Sequence, residues 1–321
     1  MNITVIGCGR WGSLITWYLD HIGHRVTLYG RAASPRMQAF LTTRQNDLLT
    51  LPESVALSTA LDAALESAET VIISIGSQSL RSLLGQSELQ ALRSRTVVLC
   101  MKGLEMGTGA RLSQIAVELL HPSNTVAVWL GPGHVQEFYR GIPNCMVIDS
   151  ENEDVKRRLV QSFSSDLIRF YYGGDMIGNE VGAAAKNVVG IAAGFLDGFE
   201  MSSLKGALMS RGTREVARLI KAMGGSELSA YGLCHLGDYE ATVFSPYSHN
   251  RQFGESFVRG QDYHQLAEGY YTVKALMLLG QRYGVELPIC KAVHDILYEQ
   301  AVPRDVLAGL LRRGLTEEFY D

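Results

Sequence analysis

Residues 3–12 read ITVIGCGRWG. An apolar, β-branched run leads directly into Gly7, Gly9 and Gly12, spaced G-x-G-x-x-G. An amphipathic stretch follows, with Leu14, Ile15, Tyr18 and Leu19 at helical spacing. Glycines at these three positions allow a tight strand-to-helix turn, a close backbone approach to a ligand, and close packing of helix on strand. The N–H groups that open such a helix attract an anion. The stretch predicts an α/β domain whose first turn holds the pyrophosphate of a dinucleotide, with Gly7, Gly9, Gly12 and the intervening Arg10 and Trp11 around it.

The rest of the first half has the same grammar. Short runs at 2–6, 25–29, 70–75, 96–101, 125–130, 144–149 and 168–172 are almost continuously apolar, as strands covered on both faces of a parallel sheet would be. Helical patterns fill the gaps, for example at 11–22 and 108–120. Beyond about residue 175 the strand pattern stops, and helices are predicted over 178–196, 204–223, 262–284, 289–300 and 303–313. The segment 235–257 reads as irregular and polar. The chain has 321 residues, more than one core usually organises. The expected architecture is an N-terminal doubly wound Rossmann-type sheet, residues 1–175, followed by an all-helical domain, residues 176–321. The boundary falls near Gly173–Ile177.

Charge and cysteine content narrow the function. A formal net charge of −4 argues against a general binder of nucleic acid or anionic membrane. The five cysteines are scattered, with no C-x-x-C pair and no H-E-x-x-H, so no metal site is expected. MNITVIG opens straight into a strand, and no long apolar run is free of charge; the expectation is a cytoplasmic protein without a membrane span.

Several positions then stand out. The second strand ends Leu28-Tyr29-Gly30-Arg31, without the acid that would bind a ribose 2′-hydroxyl. Arg31, with Arg36 nearby, favours a 2′-phosphate and hence NADP(H), with NAD(H) as the other candidate. Lys102 follows a strand, where ligands bind in such sheets; a surface lysine would look the same. Gly131-Pro132-Gly133-His134 can bring backbone close to a ligand, or be a plain exposed turn. Residues 237–254 gather Asp238, Thr242, Ser248, His249, Asn250 and Arg251 in a way that composition alone does not resolve. Lys186 sits inside GNEVGAAAKNVVGIAAGFLDG (178–198), with no acid three or four residues away. It is either a buried, functional amine or a lysine whose head escapes to water.

Taken in order, GCGRWG, MKGLE (101–105), GPGH (131–134), the Lys186 helix, GALMSRG (206–212), GDYEAT (237–242), SHNRQFG (248–254) and AEGYYT (267–272) resemble the soluble NAD(P)-dependent glycerol-3-phosphate dehydrogenases over essentially the whole chain. The resemblance implies interconversion of dihydroxyacetone phosphate and sn-glycerol 3-phosphate, feeding glycerophospholipid synthesis, by a homodimer acting on a small phosphorylated substrate. It places the catalytic lysine on Lys186, with Asp238 and Thr242 beside it and Asn187 positioning. It places substrate contacts on Lys102, Gly131, Gly133, Ser248, His249 and Asn250, and further cofactor contacts on Lys102, Val135, His249 and Glu268.

Two positions depart from the family pattern. Gly133 stands where serine or threonine is usual, and His249 where arginine is. A histidine is shorter, is only partly protonated at neutral pH, and lacks the guanidinium fork. Arg251, two residues on, could partly substitute. The departures leave open a related dehydrogenase acting on another small hydroxy or keto substrate; a non-catalytic NADP(H)-binding protein is the remaining alternative. In the dehydrogenase reading, Lys186 is general acid in reduction and base in oxidation, a role that requires burial to lower its pKa.

Overall fold

The computed structural model describes residues 1–312 and Glu318. They form two compact units, Met1–Met101 with Leu112–Met176, and Lys102–Arg111 with the chain from Ile177 onward. The expected helix 303–313 is seen as Pro303–Leu311, and its residue 313 lies outside the described residues.

In the first unit, eight strands among the described residues make one sheet. They are β1 (Asn2–Ile6), β2 (Arg25–Tyr29), β3 (Ala56–Ser58), β4 (Thr70–Ile73), β5 (Thr96–Leu99), β6 (Thr125–Leu130), β7 (Asn144–Asp149) and β8 (Ile168–Tyr172). The order is β3-β2-β1-β4-β5-β6-β7-β8. β1 pairs in parallel with β2 on one side and β4 on the other, so the strand order reverses at β1, where ligands of such sheets bind. Leu14, Ile15, Tyr18 and Leu19 of the first helix, Arg10–His21, are buried in one core with Ile3, Val5, Val26 and Leu28 of the sheet.

Two features differ from the expectation. β3 has only three residues and no apolar run, so no strand was predicted there. β6 and β7 are antiparallel. The helix between them, Val135–Tyr139, has five residues. It rises about 8 Å, well short of the roughly 20 Å of a six-residue strand, so the helix alone does not span a parallel crossover.

In the second unit, the helix Met176–Gly198 is buried along nearly its whole length, with Val181, Ala184, Ala185, Val188 and Ile191 all inaccessible. Around it lie Lys205–Ala222, His249–Val258, Glu268–Tyr283, Pro288–Tyr298 and Pro303–Leu311. The expected helix 262–284 starts six residues late. The expected helix 108–120 is seen as Leu112–Leu119, because Lys102–Arg111 is drawn into the second unit instead. Leu104 is fully buried in that unit's core, Arg282 donates to the Thr108 carbonyl at 2.9 Å, and Arg111 pairs with Glu180 at 2.5 Å.

The segment 235–257 is not irregular, which corrects the sequence reading. It holds a 3-10 turn (Leu236–Asp238), a π-helical turn (Glu240–Phe244) and the helix His249–Val258. Ser248 caps that helix, its hydroxyl accepting from Arg251 N at 3.3 Å.

Candidate functional site

The glycine loop of the first unit is shaped by contacts that no side chain would permit. Gly7 has φ +117°, and a Cβ there would stand 2.1 Å from the Ser74 carbonyl oxygen. A Cβ on Gly12 would stand 1.9 Å from the Gly7 carbonyl oxygen. Gly9 differs: the nearest atom to its Cβ position is Arg36 Nη1, at 3.7 Å. Two glycines thus serve the turn and the third leaves the backbone approachable. Gly9 is also the N-cap of the first helix, with no side-chain cap and no acid in the first turn, so the opening N–H groups keep their positive character. This cradle fits a dinucleotide pyrophosphate, bordered by Arg10 and Trp11. No acid stands at the end of β2; Gly30 and an exposed Arg31 do, and Arg36 reaches the loop.

Gly131 and Gly133 both have φ beyond +130°, a region only glycine adopts without strain. The Phe138 ring occupies the space a side chain at 133 would need, with Cε2 2.2 Å from the Cβ position. Val135 is buried at the start of the short helix that follows.

The second unit assembles the lysine site from three separate stretches of chain. Lys186 Nζ lies 2.6 Å from Asp238 Oδ2 and donates to Thr242 Oγ1 at 2.8 Å. Thr242 in turn donates to the Asp238 backbone carbonyl at 2.7 Å. Lys102 Nζ reaches the same Asp238 Oδ2 at 2.7 Å. Asp238 Oδ1 is buried without a hydrogen-bond partner among the described residues. Lys186 and Asp238 are almost fully buried, while the Lys102 side chain keeps 21% of its surface.

Lys186 therefore has a partner that lies 52 residues away in sequence rather than one helical turn away. Burial pushes its pKa from 10.5 down to about 8; Asp238 opposes the shift and Lys102 reinforces it. An amine held in this range can both give and take a proton near neutral pH.

A second chain of bonds locks the surroundings. Asn187 donates to the Lys102 carbonyl at 3.0 Å and accepts from Asn250 at 3.1 Å; Asn250 accepts from Gly269 N at 2.9 Å. Glu268 opens the Glu268–Tyr283 helix beside Gly269. His249 Nδ1 meets Tyr263 Oη at 2.6 Å. Arg251 is committed elsewhere, to Asp197 at 2.8 Å, Glu255 at 3.0 Å and the Ser245 carbonyl at 3.1 Å. It is a structural tie, which removes the suggestion that it stands in for an arginine at 249.

Small residues make this assembly fit. A Cβ on Gly194 would meet the Arg251 carbonyl oxygen at 2.1 Å, and one on Gly190 would meet Thr242 Cγ2 at 2.8 Å. The Gly/Ala-rich face of the lysine helix is where the chain carrying Thr242, Asn250 and Arg251 presses against it.

The sequence reading missed His235 and Tyr239. Both are fully buried, and they are bonded to each other and to the lysine helix. A histidine three residues before Asp238 was the only signal. Among the described residues no cluster of His, Cys, Asp and Glu could hold a metal ion, and no helix is long and apolar enough to cross a membrane.

A sheet with a glycine cradle at its switch point, together with a helical unit presenting a buried, carboxylate-paired lysine, defines the class of two-unit dinucleotide-dependent dehydrogenases. Within it, the chain belongs to the NAD-dependent glycerol-3-phosphate dehydrogenase family: the family's N-terminal model matches residues 2–156 and its C-terminal model residues 175–308. It is 32% identical to the glycerol-3-phosphate dehydrogenase [NAD(P)+] of Prosthecochloris aestuarii, covering 99% of this chain and 100% of that one. It is 35% identical to the enzyme of the same name from Nitrosomonas europaea, covering 98% of each. The crystal structure of glycerol-3-phosphate dehydrogenase from Coxiella burnetii superposes with a TM-score of 0.89 at 27% identity, covering 97% of this chain and 99% of that one.

Proposed function

We propose that this protein interconverts dihydroxyacetone phosphate and sn-glycerol 3-phosphate with a nicotinamide cofactor. The observation that carries the reading is the Lys186–Asp238–Thr242 cluster, a buried amine at 2.6 Å and 2.8 Å from its two partners with its pKa brought to about 8. Ketone reduction requires a hydride on C2 and a proton on its oxygen. The bound cofactor supplies the hydride. Lys186 in its ammonium form gives the proton to the oxygen and stabilises the charge developing there; in the reverse direction the neutral amine takes it. Thr242 and Asp238 fix the direction of the amine. Lys102, Ser248, His249 and Asn250 are assigned to the phosphate end, with Gly131 and Gly133 beside the substrate and Val135, His249, Lys102 and Glu268 toward the cofactor.

The lack of an acid after β2, with Arg31 exposed and Arg36 beside Gly9, supports NADP(H) over NAD(H). The remaining assignments are a homodimer in the cytoplasm, supplying glycerol phosphate for phospholipid synthesis. Purified protein should oxidise NADPH with dihydroxyacetone phosphate, and less efficiently NADH. No turnover with either cofactor sinks the proposal; a strong NADH preference sinks the cofactor assignment alone.

A second reading is a relative that acts on another small hydroxy or keto compound. It is favoured by Gly133, whose missing side chain is replaced by Phe138, and by His249. A higher kcat/KM on an unphosphorylated substrate would establish it.

A further inference from the structure

Besides the bonds made by Lys186 itself, the turn that carries Asp238 is held to the lysine helix by an imidazole. His235 Nδ1 lies 2.8 Å from the Gly182 carbonyl oxygen, and Tyr239 Oη lies 2.8 Å from His235 Nε2. A carbonyl only accepts, so Nδ1 carries the hydrogen; Nε2 is then the acceptor and Tyr239 the donor. Gly182 lies one helical turn before Lys186, and its carbonyl is the one a regular helix uses to receive the backbone N–H of residue 186. The lack of a side chain at Gly182 makes room for the ring's residue, since a Cβ there would stand 3.0 Å from His235 Cβ. At its other end His235 is built into the Asp238 turn, its carbonyl accepting from Asp238 N at 3.0 Å. Tyr239 is anchored in a small core with Val189, Ala193 and Val243, and its hydroxyl lies 3.5 Å from Thr213 Oγ1 on the Lys205–Ala222 helix.

We propose that His235 is a positioning residue for the proton transfer, its ring stapling the Asp238 turn to the Lys186 helix, and Tyr239 holding the ring in the tautomer that does so. The proposal rests on Lys186 being the proton donor. The ionisable groups acting on the ring are Lys186 and Asp238, and those acting on Tyr239 are Glu215 and Cys290. Burial brings the His235 pKa down to about 4, so at neutral pH the staple adds no positive charge to those of Lys186 and Lys102.

Two amide substitutions separate its two bonds. His235→Asn places an N–H near the position of Nδ1 and keeps the bond to Gly182. His235→Gln reaches instead toward the position of Nε2 and Tyr239. His235→Asn should keep kcat within about threefold and leave the midpoint of the pH–rate profile near 8. His235→Gln should lower kcat about tenfold or more, with the midpoint raised by about one pH unit as Lys186 gains freedom to reach water. KM for the cofactor should be unchanged in both. If both variants fold and keep the wild-type midpoint, the proposal is overturned, whatever happens to thermal stability. If His235→Gln does not fold, Tyr239→Phe decides: it leaves Nε2 without its donor, and an unmoved midpoint overturns the proposal.

The same ionisation can be read without substrate. The unfolded chain keeps the Lys186 proton up to about pH 10.5 while the folded chain loses it near 8, so stability should rise with pH across that window, and Lys186→Met should abolish the rise. In His235→Gln the rise should begin later; an identical onset counts against the proposal. Absence of turnover on dihydroxyacetone phosphate would sink the functional reading while leaving this measurement able to decide the role of His235.

Discussion

Lys102 and Lys186 donate to the same carboxylate oxygen, Asp238 Oδ2, at 2.7 and 2.6 Å. One negative charge is shared by two positive ones, so neither ammonium is fully compensated. Two lysines competing for one acceptor keep the buried member nearer to losing its proton than a simple ion pair would.

That sharing sets a pH dependence. Lys186 is the acid in reduction, so kcat for dihydroxyacetone phosphate should fall as pH rises through about 8, and kcat for glycerol phosphate oxidation should rise over the same range. Lys102→Met removes the neighbour that lowers the Lys186 pKa, and should move both midpoints upward. Profiles measured from pH 6 to 10 test this; a midpoint that stays put or moves down excludes electrostatic coupling between the lysines.

Lys186→Ala should lower kcat by about 10²- to 10⁴-fold. NADPH binding should be nearly unchanged, because Lys186 is not among the residues assigned to the cofactor and the glycine cradle lies in the first unit. Nucleotide titration by fluorescence, beside steady-state rates, checks both halves. Near-normal turnover would remove Lys186 from the chemistry.

Gly133→Ser would install the hydroxyl residue usual in the family, yet it should harm this protein. The new side chain meets the Phe138 ring and sits at φ +132°, at a cost of about 1–3 kcal/mol. Phe138→Ala removes a buried ring and costs about 3–5 kcal/mol by itself, but in that background Gly133→Ser should cost less than in the wild type. Denaturant midpoints for Gly133→Ser, Phe138→Ala and the double variant measure it. A fully stable single variant would show that Phe138 moves aside freely.

His249→Arg should improve use of dihydroxyacetone phosphate by about tenfold in kcat/KM, since a guanidinium gives a phosphate two charge-assisted bonds. Arg251 offers no compensation in the wild type, being tied to Asp197 and Glu255. An unchanged or lower kcat/KM would favour the reading in which the substrate carries no phosphate.

Much of this was legible in the chain because burial on both faces leaves an apolar run. Strands such as Thr125–Leu130 and Asn144–Asp149 were found at their observed limits for that reason. The three-residue β3 carries no such run. The helix His249–Val258 was hidden because HNRQFGESFV buries only Gly254 fully, and its apolar signal is confined to Phe253, Phe257 and Val258 at its end. The assignment of Lys102–Arg111 to the second unit rests on contacts with residues more than 60 positions away, which no local pattern reports. Lys186 looked unpaired because its partner comes from residue 238. His235 and Tyr239 were passed over for the same reason: a histidine and a tyrosine four apart mean nothing until tertiary packing buries both.

The glycines of the lysine helix also limit how this protein can change. At Gly190, Gly194 and Gly198 the neighbouring chain already fills the space a Cβ would take. At Gly194 that neighbour is the backbone of Arg251, Gly254 and Glu255, and backbone offers mutation nothing to adjust. New substrate preferences must therefore be written at positions with side chains to exchange, such as His249, while the helix beneath them is inherited nearly unaltered. The same close fit that steadies the proton donor makes its helix a poor target for redesign and its flanking loops the productive ones.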